Sequence, residues 1–166
     1  MIAVQPQVQV VVSVINNKMK KAFTLIELLV VATIIGLLAA GAAVSYSQFS
    51  KQSRDARRKA DLEQIRAALE MYKSTNNYYP VNLTTLTSGT VYIQSVPQDP
   101  MIGQTPSYTY QYQKLPSTCD NTVSNYCINY TLGAFLENSS TCASPPTTNC
   151  KGSSACNYCL GPYGQK

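Results

Sequence analysis

From Phe23 to Val44 the chain reads FTLIELLVVATIIGLLAAGAAV, an apolar run of 22 residues broken by a single charge, Glu27. At ~1.5 Å per residue a helix of that length spans about one bilayer core. A secretory signal peptide has a shorter apolar region, about 7–15 residues, and ends in a small-residue cleavage site. No such site closes this run. The helical pattern continues past Val44. No proline falls between Phe23 and Asn77, and Leu62, Ile65, Leu69 and Tyr72 recur at helical spacing. Asp55/Lys59 and Arg66/Glu70 stand four apart, as helix-surface ion pairs do. The pattern predicts one helix over 23–75, apolar over 23–44 and amphipathic afterwards, with the Leu62–Tyr72 stripe against a folded head.

Beyond residue 75 the period changes. Tyr78-Tyr79-Pro80 is expected to stop the helix, because proline biases its predecessor away from helical angles. After a loop and the segment VYIQSVPQDP, SYTYQYQ places Tyr108, Tyr110 and Tyr112 on one face of a strand, and NYCINYTLGAFLE reads as one or two more, antiparallel. Helix stripe and sheet face would bury each other. The expected fold is α+β: a long amino-terminal helix packed on a small antiparallel sheet, with a head over 76–166 and a cysteine-rich end over 138–166.

Composition sharpens the division. All six cysteines, eight of nine prolines and ten of twelve tyrosines follow residue 74, but only six charged residues do: Asp99, Lys114, Asp120, Glu137, Lys151 and Lys166. The formal charge is +5. Without Lys18, Lys20 and Lys21, which precede the apolar run, ten basic residues face eight acidic ones, too small an excess to argue polyanion binding. Histidine is absent, which excludes histidine-based catalysis and metal binding. No catalytic residues, cofactor or metal site are expected.

A head of about ninety residues with few apolar side chains has a marginal core, so disulfides are its expected staples at ~2–4 kcal/mol each. Cys119–Cys127 is favoured across a hairpin. Cys142, Cys150, Cys156 and Cys159 leave three connectivities open. A zinc site from those four is the alternative, since C-x-x-C is a ligand spacing. Asp120, Asn121, Ser124 and Asn125 offer oxygens with one charge among them, and read as a polar hairpin loop rather than a calcium site.

Glu27 is the residue with most to explain. A carboxylate within a membrane helix costs a few kcal/mol and is normally paired and functional, yet no basic residue lies within the run. Cutting the chain between Ala22 and Phe23 would create an α-ammonium four residues ahead of it, one helical turn away. Here KKAFTLIELLVV resembles the class III signal-peptide site of type IV pilins and type II secretion pseudopilins. The resemblance implies a leader over 1–22, cleaved after Ala22 by a prepilin peptidase that methylates Phe23, with Glu27 fifth after the cut. The family prefers glycine where this chain has Ala22. Met19 is a second candidate start, giving a four-residue leader. VYIQSVPQDP is similar to the segment that leads into the sheet of major pseudopilins and short pilins.

The resemblance implies a structural subunit: a homo-oligomeric helical filament, assembled through the amino-terminal helix by inner-membrane machinery, with Phe23 and Glu27 in assembly. Gly36, Ala40 and Gly41 form a small-residue surface that would let helices approach closely. The precursor is expected to be single-pass with its head outside, and the mature form to reach the cell surface. Lys51, Arg54, Arg57, Arg58 and Lys59 after the run outnumber the lysines before it and argue for the opposite orientation. The family's cytoplasmic cleavage and the six cysteines, which suit an oxidising compartment, decide for an external head. The alternatives are a major pseudopilin of a type II secretion system, a minor pilin, or a monomeric membrane-tethered binding domain. The sequence names no ligand for the head.

Overall fold

The computed structural model describes residues 23–138 and 140–166. The expected leader over 1–22, with Met19 and Ala22, lies outside them. The chain divides into an amino-terminal unit ending at Ala42 and a second unit, Ala43–Lys166.

One helix, α1, runs over Leu25–Asn76. Its amino-terminal part is long and apolar enough to cross a membrane. It stops earlier than Pro80 requires: Asn77 takes a left-handed conformation, φ 69°, and its N–H bonds the Lys73 carbonyl at 2.7 Å. Asparagine tolerates that region better than most residues, so Asn77 ends the helix before proline acts.

In the second unit the helix carries its stripe into a core. Leu62, Ile65, Ala68 and Leu69 are buried against Tyr79, Leu86, Ile93, Tyr130, Leu132, Ala134, Tyr158 and Leu160. The sheet is a four-stranded antiparallel meander: β1 Gln111–Leu115, β2 Asn129–Ala134, β3 Tyr158–Gly161 and β4 Gly164–Gln165, in that spatial order. Strand alternation sorts its residues. Tyr130, Leu132 and Ala134 of β2, with Tyr158 and Leu160 of β3, join the helix-side core, whereas Cys159 joins a second cluster with Cys150 and Cys156, packed by Phe135 and Cys142. The cysteine-rich end therefore covers part of the sheet's other side.

Three disulfides, Cys119–Cys127, Cys142–Cys159 and Cys150–Cys156, use every cysteine. The first closes the loop between β1 and β2. A zinc site would need four thiolates that the other two bonds consume. Gly133 in β2 is where the cystine layer approaches most closely: a Cβ there would lie 2.7 Å from the Cys156 sulfur and 2.9 Å from Pro146.

Two placements differ from the sequence reading. Of Tyr108, Tyr110 and Tyr112 only Tyr112 lies on a strand: β1 begins at Gln111, Tyr110 precedes it, and Tyr108 forms an isolated bridge with Lys151. β3 and β4 lie in the segment read as merely cysteine-rich, because four- and two-residue strands are too short to show alternation.

Candidate assembly segment and the charged clasp of the head

In the amino-terminal unit, the Thr24 hydroxyl accepts the Glu27 N–H at 3.3 Å, and the Thr24 carbonyl accepts the Leu28 N–H at 3.3 Å. Thr24 thus satisfies donors that a helix start leaves open. Glu27 occupies the first turn, where a negative charge complements the helix dipole. It makes no ion pair among the described residues and is exposed between Leu25, Ile26, Leu28 and Leu29, themselves exposed. Phe23 stands ahead of the helix at 74% exposure. A Cβ added at Gly36 or Gly41 would meet nothing within 4 Å, and Ala40 beside them is exposed.

In the second unit the strongest polar feature is one the sequence reading missed. Arg58 is fully buried. Its Nε donates to Asp99 Oδ2 at 2.7 Å and Nη2 to Asp99 Oδ1 at 3.1 Å, while Nη1 reaches Asp55 Oδ1 at 2.9 Å and Glu137 Oε1 at 3.0 Å. Arg54 closes on Glu137 with bonds of 2.6 and 2.7 Å. Asp55 also accepts the N–H groups of Glu137 and Asn138, at 2.9 and 2.8 Å. Planar guanidinium against carboxylate is the geometry that makes such contacts strong. The clasp joins α1 to the turn at Asp99 and to the chain leaving β2. Burial works against charge on Arg58, but the bonds to Asp99, Glu137 and Asp55 overcome it and raise its pKa. The hydrogen bonds from Arg54, helped by Arg58, hold Glu137 down at about 2.

Tyrosine hydroxyls make the second set of ties. Tyr79 and Tyr130 both donate to Glu70 at 3.1 Å, Tyr110 to Asp61 at 2.7 Å and Tyr112 to the Pro80 carbonyl at 2.6 Å. Burial first, and then the facing carboxylate, pushes the pKa of Tyr79, Tyr110 and Tyr130 up, so they remain donors. The expected surface pairs Asp55/Lys59 and Arg66/Glu70 give way to these partners: Asp55 to Arg58, Glu70 to the tyrosines, and Arg66 to Glu63 at 3.2 Å. In the loop closed by Cys119–Cys127, Asp120 accepts the Thr122 N–H and hydroxyl, and Asn121 bonds the Tyr79 carbonyl and the Cys127 N–H. These oxygens serve the loop itself. Among the described residues no cluster of His, Cys, Asp and Glu could hold a metal.

Two comparisons with known proteins found a likeness over part of the chain. A family model for the prokaryotic N-terminal methylation motif matches residues 17–43. The chain is similar to the type II secretion system core protein G of Pseudomonas aeruginosa, 38% identical over 65 residues, which are 39% of this chain and 46% of that protein. The match thus spans less than half the length of that relative. No solved structure matches. Motif, relative and α+β fold point to one class, structural subunits that carry a prokaryotic N-terminal methylation motif at the start of a long helix. The motif and the relative support the family of type IV pilins and type II secretion pseudopilins, whose members are structural subunits and not enzymes.

Proposed function

We propose that this chain is the structural subunit of a type IV pilus-like surface filament, made as a single-pass membrane precursor with its head outside. Prepilin peptidase cuts between Ala22 and Phe23 and methylates Phe23. The inner-membrane assembly machinery then adds the subunit to a helical homo-oligomer through its amino-terminal helix. The single observation that carries the reading is Glu27, an acid in the first turn of an apolar helix, without an ion-pair partner among the described residues. In lipid such a charge seeks a cation, and the α-ammonium created at Phe23 of a neighbouring subunit is one that only cleavage and assembly supply. Gly36, Ala40 and Gly41 line the helix where copies approach closely, as small residues at helix interfaces do.

The expected phenotype of Glu27→Ala is normal cleavage and membrane insertion with few or no filaments. Abundant filaments from that variant would refute the pairing role. The likeness to a type II secretion core protein favours a second reading, the major pseudopilin of such a system. Long filaments on cells that lack secretion genes support the pilus; their loss with those genes supports the pseudopilus.

A further inference from the structure

From Ser45 to Ser53 most side chains are polar, among them Gln48, Ser50, Lys51, Gln52 and Ser53. Two are not. Tyr46 and Phe49 are 73% and 70% exposed, as open as side chains of the apolar run, although they belong to the unit that contains the head. They stand three apart and so share a helix face. The head takes the other side of the helix: Gln48 bonds Asn138 at 2.8 Å, and Asp55, Arg58 and Leu62 follow into the clasp and core. Arg57, on the same side as Tyr46 and Phe49, keeps a side chain 67% exposed.

We infer that Tyr46 and Phe49 form an aromatic belt that seats the precursor in the headgroup layer of the bilayer, with Lys51 at the lipid phosphates. This rests on the reading of the chain as a membrane-inserted precursor and goes further, by placing the lipid boundary beyond the apolar run. Three observations point to lipid as the occupant. First, the pair follows directly on the apolar run in one continuous helix. Second, the length fits: 22 residues from Phe23 to Val44 cover ~33 Å, about the hydrocarbon core, and the turn that follows falls in the interfacial layer, which brings the bilayer to ~40–45 Å. Third, the chemistry fits. Tyrosine, with its polar edge, concentrates at that depth, and the Phe49 ring and the Lys51 ammonium beside it suit the boundary between acyl chains and headgroups. The rim of the head at Asn138, bonded to Gln48 on this turn, would then stand at the membrane surface.

The chain has no tryptophan, so one introduced indole reports its own depth. Full-length Phe49→Trp, Ile34→Trp and Val91→Trp would each be reconstituted into phosphatidylethanolamine/phosphatidylglycerol vesicles. Lipids brominated high or deep on the acyl chain, and aqueous acrylamide, would serve as quenchers, and Tyr46→Trp would repeat the reading at the second belt position. The indole at 49 is expected to lose most of its emission to the shallow-brominated lipid and less to the deep one. The indole at 34 should respond in the reverse order, and that at 91, on the exposed head, to acrylamide alone. Quenching of the 49 indole by acrylamide only, with the 34 indole still quenched by bromolipid, overturns the belt and leaves membrane insertion standing. Shielding of the 49 indole from both quenchers assigns that face to a second protein copy and overturns it too. No bromolipid quenching at position 34 removes insertion itself, and the belt with it.

Discussion

Substituting Arg58 by methionine removes the centre of the clasp while keeping much of its apolar stem, so the loss isolates the charge. The three carboxylates are not left equal. Glu137 keeps both bonds from Arg54, and Asp55 keeps the N–H groups of Glu137 and Asn138. Asp99 loses both guanidinium bonds and retains only the Met101 N–H at 2.8 Å, although it is only 3% exposed. Stranding one buried partner of an ion pair costs ~3–5 kcal/mol. Nearly all of it should come from Asp99. Asp99→Asn alone, which keeps a hydrogen-bonding side chain, is expected to cost ~1.5–3 kcal/mol, the worth of a bond to a charged group. Combining both changes should cost less than their sum by ~1–3 kcal/mol, because the stranded charge is gone. Urea titration of the oxidised full-length chain in detergent, followed by near-ultraviolet tyrosine dichroism, reads all three. A loss below ~1 kcal/mol for Arg58→Met, or strict additivity, would show that the cluster is not the coupled clasp its geometry implies.

Three further outcomes follow from the same contacts. Gly133→Ala pushes a methyl group against Cys156 and Pro146, and overpacking of this kind is expected to cost ~1–3 kcal/mol by the same titration, with no change in the Cys119–Cys127 bond by peptide mapping. The pKa of Glu137 is depressed from 4.5 to about 2, so its contribution is fully present above 4.5 and is lost as pH falls through about 2. An acid titration of stability should therefore flatten in Glu137→Gln over that window, and an unchanged slope would contradict the Arg54 pairing. Tyr110→Phe leaves Asp61 without its 2.7 Å donor and is expected to destabilise by ~1–3 kcal/mol, whereas Tyr163→Phe, 98% exposed, should be neutral in the same assay.

The long helix and its apolar stripe were legible because proline is absent for more than fifty residues and Leu62, Ile65 and Leu69 keep strict spacing. Arg58 was not, although it lies four residues before Leu62 and thus extends the same stripe. Charge at a stripe position reads as a solvated edge unless its partners are known, and Asp99 and Glu137 lie 41 and 79 residues away. A hint existed in composition: Asp99 and Glu137 are two of only three acids in a head that otherwise avoids charge. β3 was hidden for a different reason, since Tyr158, Cys159 and Leu160 are all buried, Tyr158 and Leu160 in the helix-side core and Cys159 in the cystine cluster, and a strand covered on both sides shows no polar alternation. Glu27 needed no structure to be noticed, because a lone acid in an apolar run conflicts with its surroundings wherever the helix lies. What the fold could not encode is its partner, which belongs to another chain in the proposed assembly.

Mass spectrometry of material sheared from the cell surface tests that assembly most directly. The account predicts a polypeptide that begins at an N-methylated Phe23 and carries all six cysteines oxidised. A surface form that begins elsewhere, or an uncut precursor confined to the membrane, would contradict it.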